Sequence, residues 1–123
     1  MSIFKKLKNK KRIYIICPIA NGTPPEIKSY VKEKEKEGYI VHFPLRDVNQ
    51  DDPTGINICI SHRKAMKKCD EVHIFWDSES KGSHFDLGMA FALNKKWKMI
   101  KSYHDDIITK SYHKVILLSS IIR

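Results

Sequence analysis

The run Asp70-Glu-Val-His-Ile-Phe-Trp-Asp77, continued by Ser-Glu-Ser-Lys-Gly82-Ser83-His-Phe-Asp86-Leu-Gly88-Met-Ala90, sets two carboxylates at a junction where an apolar strand reads straight into a helix. Junctions of this kind form the binding crevice of an open α/β sheet. A carboxylate held there bonds ligand hydroxyls or stabilises a cationic centre, and amides at a helix start receive phosphate oxygens. Asp86 has a competing structural use. Ser83-His-Phe-Asp86 fits a capping box, in which the N-cap hydroxyl and the N3 side chain bond each other's backbone donors in the first helical turn. One side chain cannot easily serve both ends, so the spacing leaves two orientations open.

Three loops are expected to converge at the carboxyl end of the sheet: Cys17 to Thr23, Arg46 to Gly55, and Asp77 to Ser83. Their carboxylates, amides, hydroxyls and single guanidinium suit a sugar or nucleoside better than a lipid or a metal, and no cofactor is expected. Asp77 reads equally as a loop-bonding residue or a ligand contact. Arg46 is either a surface ion pair or a planar fork for phosphate. Asp47, Asn49, Asp51 and Asp52 are turn formers ahead of Pro53, or a polar wall of the site. Tyr14, inside a strand, is a packed phenol or a hydroxyl reaching the crevice. His62 is a surface histidine or a pocket acid, and His73, alternating with Val72 and Ile74, reads as structural. Cys17 has no histidine at a pairing distance in sequence and reads as a small buried residue.

The elements that must position these groups alternate in type. Apolar runs at Arg12 to Cys17, Tyr39 to Phe43, Glu71 to Trp76 and Trp97 to Lys101 read as strands. Helices are expected from about Pro24 to Glu37, with Thr23 as cap and a KEKEKE solvent face, and from Gly55 to Lys68. A third runs from Ser83 to Asn94, with Leu87, Ala90, Phe91 and Asn94 toward the sheet and Gly88 permitting close approach. Tyr103 to Arg123 suits a helix capped by Thr109 and carrying Tyr112, Val115, Ile116 and Ser119, although Val-Ile-Leu-Leu also suits a strand. The alternation predicts an α/β parallel sheet of four to five strands with helices on both faces.

The chain has 123 residues, enough for one domain with one core. Its formal charge is +9, but Lys5, Lys6, Lys8, Lys10, Lys11 and Arg12 supply six of the 23 basic residues, leaving 17 against 14 acidic ones. Residues 1–11 therefore read as a basic arm before a body at 12–123, and a nucleic-acid role for that body is not expected. Three cysteines without paired metal spacing argue against a disulfide framework or zinc site and predict reduced thiols in the cytoplasm. No apolar run is long enough for a signal peptide or a membrane span.

Three pieces of sequence carry a family likeness: Ile13-Tyr14-Ile-Ile-Cys-Pro-Ile19, the helix-to-strand unit Ala65 to Trp76, and Gly82-Ser-His-Phe-Asp86-Leu-Gly88-Met-Ala90-Phe-Ala-Leu93. In order over Arg12 to Lys101, they resemble the nucleoside 2-deoxyribosyltransferase superfamily, including its nucleotide N-glycosidase relatives. The last piece is the most specific. The resemblance implies a flavodoxin-like sheet, a homo-oligomer, a small-molecule nucleoside or nucleotide as ligand, and cleavage or transfer at the N-glycosidic bond. It puts Asp86 at the position of the nucleophilic glutamate, one methylene shorter, and Tyr14 at that of the neighbouring tyrosine. His62 falls about where relatives carry an aspartate that positions the sugar. Asp77, Ser83, Gly82, Asn49, Arg46 and Asp47 complete the expected binding set. A non-catalytic nucleotide-binding or signalling protein of the same fold is the alternative.

Overall fold

A computed structural model describes residues 10–19, 22–103 and 112–122. Its parallel strands β1 (Arg12–Ile16), β2 (Ile40–His42), β3 (Glu71–Trp76) and β4 (Lys96–Ser102) form one sheet in the order β2-β1-β3-β4. Around it lie α1 (Pro25–Lys36), a short α2 (Pro44–Asp47), α3 (Ile56–Lys68), α4 (Lys81–Ala92) and α5 (Tyr112–Ile122). The chain leaves β1 toward one edge, then returns past it to β3 and β4. With right-handed crossovers this reversal sends α1 to one face and α3 and α4 to the other, and opens a switch point between β1 and β3. The result is a flavodoxin-like α/β arrangement with four strands among the described residues.

Strand residues divide by parity. Ile13, Ile15 and Cys17 pack with Ile27 and Val31 of α1, together with Val41, Phe43 and Phe75. Tyr14 and Ile16 face the other way, against Met66 of α3, Leu87 and Ala90 of α4, and Ile116 of α5. Burial on both faces explains why β1 reads as an unbroken apolar run rather than an alternating one. The C-terminal segment is helical, as expected, and the Trp97 indole donates to the Ile116 carbonyl at 3.1 Å. Thr109 lies outside the described residues, as do residues 1–9 of the basic arm.

Several local expectations are corrected. Thr23 does not cap α1; its hydroxyl donates to the Pro18 carbonyl at 2.9 Å, and Pro25 opens the helix without a side-chain cap. The polar stretch after β2 contains the helical turn α2, because Asp47 folds back to accept from the Phe43 amide at 2.8 Å. Asp52 then accepts from the Asn57 amide at 2.8 Å and so satisfies an orphan donor at the start of α3. Helix α4 starts two residues earlier than expected, at Lys81. Ser80, not Ser83, is its N-cap and accepts from the Ser83 amide at 3.3 Å. The capping box is thereby excluded, and Asp86 falls in the second turn of α4, not the first. Gly88 is also corrected: it is exposed, and a Cβ there would meet nothing within 4 Å, so it mediates no close approach. α4 stops at Asn94, whose left-handed φ of 54° lets the Lys95 amide return to the Ala90 carbonyl at 2.9 Å. Among the described residues no helix is long and apolar enough to cross a membrane.

Candidate active site

Freed from capping duty, the Asp86 side chain turns toward the sheet. It is only 6 % exposed. Tyr14, projecting from β1, donates its hydroxyl to Asp86 Oδ2 at 2.9 Å, and His62 Nδ1, from α3, lies 3.2 Å from Oδ1. An ionised carboxylate can only accept, so an ionised Asp86 requires the His62 proton to sit on Nδ1. The His42 ring of β2 stacks on Tyr14 at 5.0 Å between centroids, and His62 stands edge-on to both rings at 6.0 and 6.1 Å. Four side chains from β1, β2, α3 and α4 thus form one buried polar cluster.

The cluster borders a cavity of about 860 Å³ at the carboxyl ends of β1 and β3. Cys17, Pro18, Ile19, Gly22 and Pro24 line it from the loop after β1; Pro44, Gln50, Ile58 and His62 come from the path between β2 and α3. Asp77, Glu79, Ser80, Lys81 and Gly82 close it from the loop after β3, with Asp86 and Tyr103 completing the lining. This is the switch-point crevice of an open α/β sheet, in the size range of small-molecule sites.

Electrostatics define what the groups can do. Burial, reinforced by the adjacent Asp86 charge, drives the Tyr14 hydroxyl far above its ordinary range, so it stays a donor at any working pH. The same two causes push the Cys17 thiol up to about 12, which leaves it a neutral wall residue and not a nucleophile. Burial lowers His42, so its ring is neutral near pH 7. The Nε2 atoms of His42 and His62 are buried with no hydrogen-bond partner among the described residues.

Of the residues singled out in the sequence, Asp86, His62, Asp77 and Gly82 line the cavity and Tyr14 stands directly behind Asp86. Asp77 makes the loop bond weighed for it, Oδ1 accepting from the Glu79 amide at 2.9 Å, and the residue also lines the cavity. Ser83 is buried beside the site, its hydroxyl 2.9 Å from that of Ser80. Arg46, Asp47 and Asn49 are not brought to this cavity. The Arg46 fork holds both Asp47 oxygens at 2.7 and 3.0 Å, Glu35 at 2.9 Å and the Val41 carbonyl at 2.9 Å, the ion-pair alternative of the two uses left open for it. Asn49 Oδ1 accepts from the Asp51 amide at 2.9 Å, a turn-forming contact. Sequence reasoning missed His42, Ser80 and Tyr103. His42 carried one legible signal, sharing strand parity with Ile40 and opposing the apolar Val41.

No family model matches the sequence, and none of the curated proteins matches it. Solved structures do. The CMP N-glycosidase BcmB of Clostridium botulinum superposes with a TM-score of 0.60 at 20% identity, over 89% of this chain and 83% of that one. The 2-deoxyribosyltransferase of Leishmania mexicana gives 0.54 at 22% identity, over 76% of this chain and 65% of that one. The chain shares the fold of these two proteins. In this chain that fold joins Tyr14 to Asp86, 72 residues apart, at the switch point of its sheet.

Proposed function

We propose that the protein binds a nucleoside or nucleotide in this cavity and cleaves or transfers its N-glycosidic bond through Asp86. The observation that carries this reading is the orientation of Asp86: a buried carboxylate on the cavity wall, held by Tyr14 and His62 and not by the amides of its own helix. As the bond between the anomeric carbon and the base nitrogen lengthens, its electron pair leaves with the base and positive charge grows on the sugar. A fixed carboxylate in a water-poor site stabilises that charge electrostatically or attacks the carbon to form an ester. Water resolving the ester gives hydrolysis; an acceptor base gives transfer. Tyr14 and His62 fix the rotamer of Asp86 while each of its oxygens retains lone-pair capacity. The two solved neighbours, a CMP N-glycosidase and a 2-deoxyribosyltransferase, support this reaction class.

The test is incubation with a panel of nucleosides, deoxynucleosides and their 5′-monophosphates, with and without an acceptor base. Free base or exchanged nucleoside is the expected product. No turnover of any member, with no change on Asp86→Ala in turnover or binding, rejects the reading. One observation favours a second reading: Asp86 is a methylene shorter than glutamate, and loss of reach on this scale costs a covalent step heavily. A nucleotide-binding protein of the same fold predicts a ligand-induced thermal shift without product.

The working unit is proposed to be residues 12–123, assembled as a homo-oligomer. Phe85 and Phe91 on α4, and Tyr112, Leu117 and Leu118 on α5, are large apolar side chains left exposed, the kind that association covers. The His84 and Tyr112 rings, 5.0 Å apart, connect the two helices. Light scattering is expected to show an oligomer that Phe85→Glu with Leu118→Glu converts to monomer; a monomeric wild type refutes it.

A further inference from the structure

The cavity has two chemically different walls. Asp86 and His62 stand on the side of α3 and α4, whereas Pro18, Ile19, Pro24 and Tyr103 offer an uncharged surface on the side of α1. Tyr103 follows directly on β4 and is fixed by three separate contacts. Its amide donates to the Trp76 carbonyl at 2.9 Å, tying the residue to the end of β3. Its hydroxyl donates to Glu26 Oε1 at 2.9 Å, reaching across to the first turn of α1. Lys101 bonds the same Glu26 oxygen at 3.1 Å and sets its ammonium 5.0 Å from the ring centroid. A half-buried aromatic ring is thereby immobilised on the wall of a polar-ended cavity, and its ordering cost is met before any ligand arrives. Burial and the Glu26 bond both raise its hydroxyl, so the clamp persists through neutral pH.

We propose that Tyr103 is the stacking platform for the nucleobase, holding the base against the uncharged wall while the sugar reaches Asp86 on the other. The proposal rests on the nucleoside reading given above and adds the residue that binds the base. Stacking on an aromatic ring tolerates any base, because every base presents a π-face. Tyr103 therefore contributes affinity for nucleotides as a class, and discrimination among bases falls to other groups.

The experiment uses calorimetric titration of the full chain with the 5′-monophosphates of the four ribonucleosides and four deoxyribonucleosides. Ribose 5-phosphate and deoxyribose 5-phosphate, which carry the same sugar phosphates without a base, serve as the comparison. Tyr103→Ala is expected to weaken nucleotides about 10-fold or more and to leave the sugar phosphates within about two-fold. Tyr103→Phe, which keeps the ring and loses the Glu26 clamp, is expected to recover most of that loss. Tyr103→Leu, which fills the space without a π-face, should behave as Tyr103→Ala and covers the case in which alanine does not fold. Equal weakening of nucleotides and sugar phosphates overturns the platform, as does unchanged nucleotide affinity in both Tyr103→Ala and Tyr103→Leu. Either result leaves the nucleoside reading standing. A wild type that binds none of the nucleotides overturns the platform and the nucleotide form of that reading, while its nucleoside form is decided by the turnover panel.

Discussion

Tyr14 Oη lies 2.9 Å from Asp86 Oδ2, joining β1 to the second turn of α4 across the switch point. The contact fixes the direction of a carboxylate that the sequence leaves with two possible uses. It also sets what Tyr14→Phe should do. Removing a hydroxyl bonded to a charged acceptor costs about 1.5–3 kcal/mol, which corresponds to a loss of about 10- to 100-fold in kcat if the bond is retained in the transition state. Steady-state kinetics on the donor nucleotide checks this, and an unchanged kcat contradicts it.

Asp86→Asn preserves shape and removes charge. Base release should fall by about 100-fold or more, in line with loss of a preorganised electrostatic group, while nucleotide-induced thermal stabilisation persists. Retained activity would mean that the carboxylate is not used.

Arg46→Ala tests a residue that the structure takes out of the site. Its ion pairs with Glu35 and Asp47 are partly exposed, so stability should drop by about 1 kcal/mol or less, with turnover unchanged within about two-fold. Urea denaturation and kinetics measure the two parts separately. A large rise in KM for phosphorylated substrates alone would return Arg46 to ligand binding.

Stability should depend on pH at both ends of the range. Burial lowers His42 and His73 below their usual value of 6.5, so below that pH the unfolded chain binds protons that the folded chain refuses. The contribution is complete above about pH 6.5 and is lost as pH falls toward the folded-state values. Urea midpoints at pH 5.5 and 7.5 should differ in that direction, and His42→Gln with His73→Gln should flatten the difference. At the alkaline end burial raises Tyr14, Tyr30 and Tyr103 above 10, so stability holds up to about pH 10 and declines beyond it as the unfolded phenols ionise first. Tyr14→Phe should reduce that decline.

The four strands and the three long helices between them were legible because β-branched runs such as Ile13 to Ile16 and stops such as Gly38, at φ 100°, are local signals. The start of α4 was not, since Ser80 and Ser83 suit an N-cap equally. The turn after β3 decides between them: the Ser80 amide returns to the Asp77 carbonyl at 3.0 Å, which leaves Ser80 at the cap position. Arg46 was ambiguous because its partner Glu35 lies on another helix, 11 residues earlier. His42 carries no motif and acquires meaning only when β2 pairs beside β1 and stacks it on Tyr14. Tyr103 depends on Glu26, 77 residues away, a relationship that no spacing encodes.

The most direct measurement is a crystal structure of the Asp86→Asn protein soaked with a nucleoside 5′-monophosphate that the wild type cleaves. The account predicts the anomeric carbon about 3–3.5 Å from a side-chain atom of residue 86, with the sugar between His62 and the loop after β3. A nucleotide seated elsewhere, or a residue 86 turned back onto the amides of its own helix, would contradict it.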